Sequence, residues 1–184
     1  MSAQPSASVK TAPSGGPLGQ LLLRVGTALL RLPRALRLAL ALGWMGLIWF
    51  LSGSEMPEVS SAFYWPFLGN LFHAPLFGLL ALCWIATLSP APQAGARPWP
   101  SARRLSYALL LVLAYAIVDE LHQASTPGRS PSSSDVGTDL IGAGSVAWVV
   151  AYLGTDALTQ AGLLRRLGWG LLACFGAAGL ATLF

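Results

Sequence analysis

Residues 116–144 read AIVDELHQASTPGRSPSSSDVGTDLIGAG, a polar segment set between two apolar runs. SYALLLVLAYAIV (106–118) leads into it and LIGAGSVAWVVAYL (140–153) leads out. Asp119, Glu120, Asp135 and Asp139, four of the seven acidic residues of the chain, fall here with His122, Gln123 and Arg129. Ionisable groups are costly to keep at the edge of a membrane, so such a cluster is by default a functional site. What the segment means therefore depends on whether its flanks cross a bilayer.

Composition says that they do. Hydrophobic residues make up 54% of the 184-residue chain and charged residues only 10%, against about 25% charged in a soluble domain. Several runs approach the ~20 residues needed to cross ~30 Å of hydrocarbon. They are continuous, whereas barrel strands would alternate polar and apolar residues. The expected fold is all-α: a polytopic membrane helix bundle of about five transmembrane helices, plus an N-terminal basic amphipathic helix. Cys83 and Cys174 both lie inside apolar runs and read as buried thiols. No CxxC or His/Cys-rich tract points to zinc.

Working outward, residues 1–17 are rich in Ser, Ala, Pro and Gly. They read as a disordered tail without a secretory signal. Over 18–34, Leu18, Leu22, Val25, Leu29 and Leu32 recur at helical spacing, with Gln20, Arg24, Thr27, Arg31 and Arg34 on the other side. That pattern fits an interfacial amphipathic helix, or else the polar lead-in to the first span, and Pro33 ends or bends it. Residues 35–154 form the main membrane domain, and 155–184 add a C-terminal transmembrane helix. The spans are expected at about Leu36–Leu51, Asn70–Leu88, Leu105–His122, Val136–Leu153 and Leu167–Phe184, the last slightly short. Phe63, Tyr64, Trp65 and Phe67, with Pro66, suit a re-entrant or headgroup-level segment. His73 and Pro75 fall in the first turn or two of the second span, where Pro is tolerated. Ala143, Ala147 and Ala151 beside Gly144, and Gly168, Gly176 and Gly179, read as small-residue helix packing.

Charge tests this topology. With Met1 in the cytoplasm, Lys10, Arg24, Arg31, Arg34, Arg37, Arg97, Arg103, Arg104, Arg165 and Arg166 fall inside, and only Arg129 outside. The acidic residues sort the other way, with Asp156 alone inside. This is the positive-inside pattern. The net charge of +4 is then a topology signal, and the lipid bilayer, not nucleic acid, is the expected partner.

The same topology brings three helices to one level at the outer face. His73 enters from the second span. Asp119, Glu120, His122 and Gln123 end the third, and Asp135 and Asp139 open the fourth. Asp119 shares a helix face with His122 and Gln123, and Glu120 meets Gln123 at one edge. Two carboxylates at a helix C-terminus oppose its dipole. Arg129, a bound cation or protonation of one acid must offset that. Pro127-Gly128 is a turn signal that would fold Arg129 back. Ser134 or Asp135 is the expected N-cap of the fourth span. Taken alone, His122 reads as a surface histidine near the loop, and Glu55 and Glu58 as a solvated loop.

Tyr115 to Gly144, with its DE-xx-Q, then PGR, then Asp before a Gly-rich helix, resembles the signature of the VanZ-like family of bacterial membrane proteins. HAPLFGLLAL from His73 and LSGSE from Leu51 are similar to further family features. The likeness covers about Leu38 to Leu153. Gly69 and Asn70 stand where the family often has a charged pair, and Asp139 where it often has Asn. The resemblance implies a bacterial membrane protein and a link to tolerance of the glycopeptide teicoplanin; with the charge pattern, the expectation is a multi-pass protein of the bacterial cytoplasmic membrane, its N-terminus cytoplasmic.

Three roles fit the constellation. The first is a site for a lipid-linked or cell-envelope ligand. There Glu120 or Asp119 would serve as general acid or base with help from His73, and Gln123, Arg129, Asp135 and Asp139 would bind. The second is a divalent metal site of His73, Glu120, His122 and an aspartate, a mixed donor set without a local spacing motif. The third is a structural knot in a non-enzymatic protein, with Arg129 paired to Asp119 or Asp135. The residues name no cofactor. A channel is disfavoured, because no ionisable residue sits in the middle of a span.

Overall fold

The computed structural model describes residues 15–54, 64–92, 99–127 and 132–183. Among them the chain is all helix: α1 (Gly16–Arg31), α2 (Arg34–Ser52), α3 (Tyr64–Leu88), α4 (Ala102–Gln123), α5 (Ser133–Leu153) and α6 (Gln160–Ala181). The last five are long and apolar enough to cross a membrane, with mean hydropathy between 1.2 and 1.9. At 1.5 Å per residue such helices reach about 30 Å. Five spans behind an N-terminal amphipathic helix are what the sequence led us to expect.

Local chemistry sets the helix ends. Leu32 is extended, with ψ of 144°, because the residue before Pro33 is driven out of the helical region. α1 therefore stops and α2 starts afresh. Leu18 and Leu22 of α1 pack on a cluster with Leu158 and Leu163 at the start of α6, whereas Leu21 and Val25 stay exposed. Thr159 caps α6, its Oγ1 accepting from the Gly162 N–H at 3.1 Å.

Two spans differ from expectation. α3 begins at Tyr64, so Tyr64 to Phe67 open a long helix whose membrane-crossing stretch is Phe67–Leu88; Phe63 lies outside the described residues. Pro66 falls in its first turn, where a missing N–H costs no helical bond. His73 and Pro75 are then the tenth and twelfth residues of α3, counting from Tyr64, and not in its first turns. α6 begins at Gln160 and runs 22 residues, so the last span is not short. Its Arg166 sits over the Tyr152 ring at 3.6 Å and near the Trp148 ring at 5.2 Å. A guanidinium stacked on aromatics is carried at the end of a span without breaking it.

α3 is the centre of the bundle and touches every other helix, α5 most extensively. Gly142 makes that approach possible, since a Cβ there would stand 2.1 Å from the Ala74 carbonyl oxygen. Gly144, Gly168, Gly176 and Gly179 have open space around them. The close contacts on α6 are made at Gly162 and Gly170 instead. At the α1 end, buried Arg37 donates from Nη1 to the Ala86 oxygen and to the Ser89 oxygen at 2.9 Å. A cation on the last carbonyls of α3 also complements its dipole. At the opposite end Asn70 donates to Thr182 Oγ1 at 3.2 Å, which ties α3 to the end of α6.

Candidate functional site

The last turn of α2, the early half of α3, the last turn of α4 and the first turns of α5 meet at one end of the bundle. Asp119 is 1% exposed and both its oxygens are engaged. Ser52 Oγ donates to Oδ1 at 2.6 Å, and Gln123 Nε2 donates to Oδ2 at 3.0 Å. The Asp119–Gln123 pair is the one expected from their four-residue spacing. Ser52 was not among the sequence candidates, although LSGSE had marked its neighbourhood.

His122 is not a surface histidine. Its ring stacks on Trp49 with centroids 3.6 Å apart, and its Nδ1 lies 3.3 Å from Ser52 Oγ. The hydroxyl of Ser52 serves Asp119 at 2.6 Å, with the Trp49 carbonyl oxygen 3.2 Å from the same Oγ. His122, Ser52 and Asp119 thus stand in a row of close polar contacts. Gly53, the C-cap of α2, leaves room for it, since a Cβ there would meet His122 Cε1 at 2.9 Å.

His73 Nδ1 lies 3.0 Å from Asp139 Oδ1, joining α3 to α5. Asp139 has no exposure at all. A buried carboxylate needs a partner, and His73 is the one present. Glu120 Oε2 accepts from the Ser132 N–H at 2.7 Å, which fastens the start of α5 to the end of α4. Ser132, not Ser134 or Asp135, is the N-cap of α5, its Oγ accepting from the Ser134 N–H at 3.2 Å. Asp135 stands in the first turn instead. Glu120 Oε1 and Asp139 Oδ2 are buried without a hydrogen-bond partner among the described residues. Arg129, Glu55 and Glu58 lie outside those residues.

A cavity of about 540 Å³ adjoins this network. Its polar lining comes from Ser52, Asn70, His73, Asp119, Gln123 and Asp135, and most of its wall is apolar, including Ile48, Phe72 and Phe77. Glu120 and Asp139 stand behind that lining. The structure thus brings Asp119, Gln123, His73 and Asp135 onto one cavity. His73 and His122 belong to separate hydrogen-bonded pairs, and among the described residues no group of three or more His, Cys, Asp or Glu is placed to hold a metal ion.

Five spanning helices with a buried acidic network and a cavity at one end define a polytopic α-helical membrane protein. A family model described as VanZ/LLP1 matches residues 33–154, well over half the chain, and the chain belongs to this family. The match takes in α2 to α5 and every site residue described above, and it leaves α1 and α6 outside. No curated protein and no solved structure matches the chain.

Proposed function

We propose that the cavity binds the polar end of a lipid-linked or cell-envelope ligand. The cavity itself carries this reading: mostly apolar walls with a few convergent polar groups are the usual form of a small-ligand site. Asp119, Gln123, Asp135 and His73 contact the ligand, Asp139 holds the His73 ring, and Glu120 fixes the start of α5. Arg129, the one basic residue of the 116–144 segment, is the residue type that pairs with a phosphate or carboxylate on such a ligand. If the site is catalytic, Asp119 and Glu120 are its acid and base, and the imidazole of His73 relays the proton.

In this reading residues 35–154 are the binding unit, the bundle lies in the bacterial cytoplasmic membrane with α1 on the cytoplasmic side, and the cavity faces outward. Glycopeptide tolerance, teicoplanin included, is the corresponding cellular role. Folded Asp119→Asn and Glu120→Gln proteins are expected to lose that tolerance. Full tolerance in both would remove the proposal.

A specific observation favours a second reading. Ser52–Asp119, His73–Asp139 and Glu120–Ser132 join α2, α3 and α4 to their neighbours, as a structural knot would. In that case the same two variants fail to fold instead of folding without activity.

A further inference from the structure

We infer that the α1 end of the bundle holds an anionic lipid, its acyl chain in a second cavity and its phosphate on the arginines that open α2. That cavity, of about 220 Å³, lies between α1, α3, α5 and α6. It shares no lining residue with the cavity at the acidic end, so neither proposal depends on the other.

Arg37 is only 4% exposed, yet its hydrogen bonds go to neutral groups. Its Nη1 donates to the carbonyl oxygens of Ala86 and Ser89, and its Nε is buried without a partner among the described residues. A buried charge calls for a counter-charge. The carbonyl end of α3 supplies the equivalent of about half a unit, which leaves the guanidinium in excess. The rest of this end adds more positive charge. Arginines stand in pairs on α1, α2, α4 and α6, eight among the described residues, and all at this end. Asp156 is the one described acid here and can offset one of the eight. Segments 1–14 and 93–98, which join the same end, contain no Asp or Glu. The balancing anion therefore comes from outside the chain.

The cavity says what carries that anion. Ala86 and Ser89, which hold Arg37, line it, as does Leu30, four residues before Arg34. Arg34 is exposed and three residues from Arg37 on one side of α2. The Ser89 hydroxyl is spent on the Ile85 oxygen at 2.6 Å, and apart from it and the Trp99 indole the wall is apolar. An apolar cavity of ~150 Å³ takes up benzene, so this one accepts a stretch of alkyl chain. Val25 lines it and is 57% exposed, and Leu21, one turn earlier, is 56% exposed. The opening thus continues onto an apolar surface of α1, an amphipathic helix of the kind that lies among headgroups. Arginines beside a cleft between membrane helices suit an anionic headgroup, and the bilayer is the source at hand.

The test is a titration of the full-length protein in a neutral maltoside detergent, followed by thermal unfolding and by tryptophan fluorescence, since Trp99 lines the cavity. The probes are oleoyl-lysophosphatidylglycerol, oleoyl-lysophosphatidylcholine and chain-free glycerol phosphate. Saturable binding of the anionic lysolipid is expected, with the zwitterionic one weaker and glycerol phosphate without effect. Arg34→Gln should weaken the anionic lysolipid about fivefold and leave the zwitterionic one unchanged. Val149→Phe, which fills the cavity, should weaken both. Should Val149→Phe fail to fold, the Arg34→Gln comparison decides. Equal affinity for the two lysolipids, or anionic binding unmoved by either variant, overturns the inference. So does glycerol phosphate binding as tightly as the anionic lysolipid, which would make the anion a soluble one. No saturable binding of any probe overturns it as well, and leaves the cavity at the acidic end untouched.

Discussion

Asp139, without exposure and facing one imidazole, shows how narrowly this site is balanced. Removing one partner of a buried hydrogen bond leaves the other polar group unsatisfied, at a cost of about 1–3 kcal/mol. His73→Ala should therefore lower thermal stability in detergent strongly, and His73→Ala with Asp139→Asn should recover much of the loss. Additive losses in that double-mutant cycle would mean the two residues act apart. Ser52→Ala takes a donor from buried Asp119 and should cost about 1–3 kcal/mol, read in the same unfolding assay. The acids, His73 and Gln123 were legible in the sequence because spacing and span direction put them at one level. Ser52 and the His122–Trp49 stack were not. They depend on how the end of α2 is rotated against α4, and periodicity within one helix says nothing about rotation between two.

At the scale of elements, the α3–α5 contact rests on Gly142. A methyl group there would collide with backbone, which cannot move aside as a side chain can. Gly142→Ala should destabilise the bundle by at least about 1–3 kcal/mol. Gly144→Ala, with open space around it, should stay within about 0.5 kcal/mol of the wild type. Equal melting temperatures for the two variants would argue against this packing. The small residues of α5 were visible in the sequence, but which one meets its neighbour was not. Helix starts were also harder to read than helix existence. Tyr64 to Phe67 carry the aromatic signature of an interface and yet begin α3. The last span was expected from Leu167, yet α6 begins at Gln160, and the stack of Arg166 on Tyr152 supplies a place for that charge within the helix.

Among the described residues, the division of charge between the two bundle ends was legible, because it is a property of composition by segment. It predicts that Ser125→Cys, in a cysteine-free background, reacts with a membrane-impermeant thiol reagent added outside intact cells, and that Thr155→Cys reacts only after permeabilisation. The opposite pattern would invert the topology. α1 and α6, both outside the family match, pack against each other at one end. Removing residues 1–32 should therefore lower stability while leaving ligand binding at the far end intact, as a titration on the truncated protein would show.

The central claim is that the cavity is a ligand site and not merely a well-tied knot. Native mass spectrometry of the protein released from maltoside micelles, wild type beside Asp119→Asn, tests it most directly. A discrete adduct on the wild type, absent from a variant that remains folded, is the predicted result. Bare protein in both spectra, with the variant markedly less stable, would contradict the claim and leave the network a structural one.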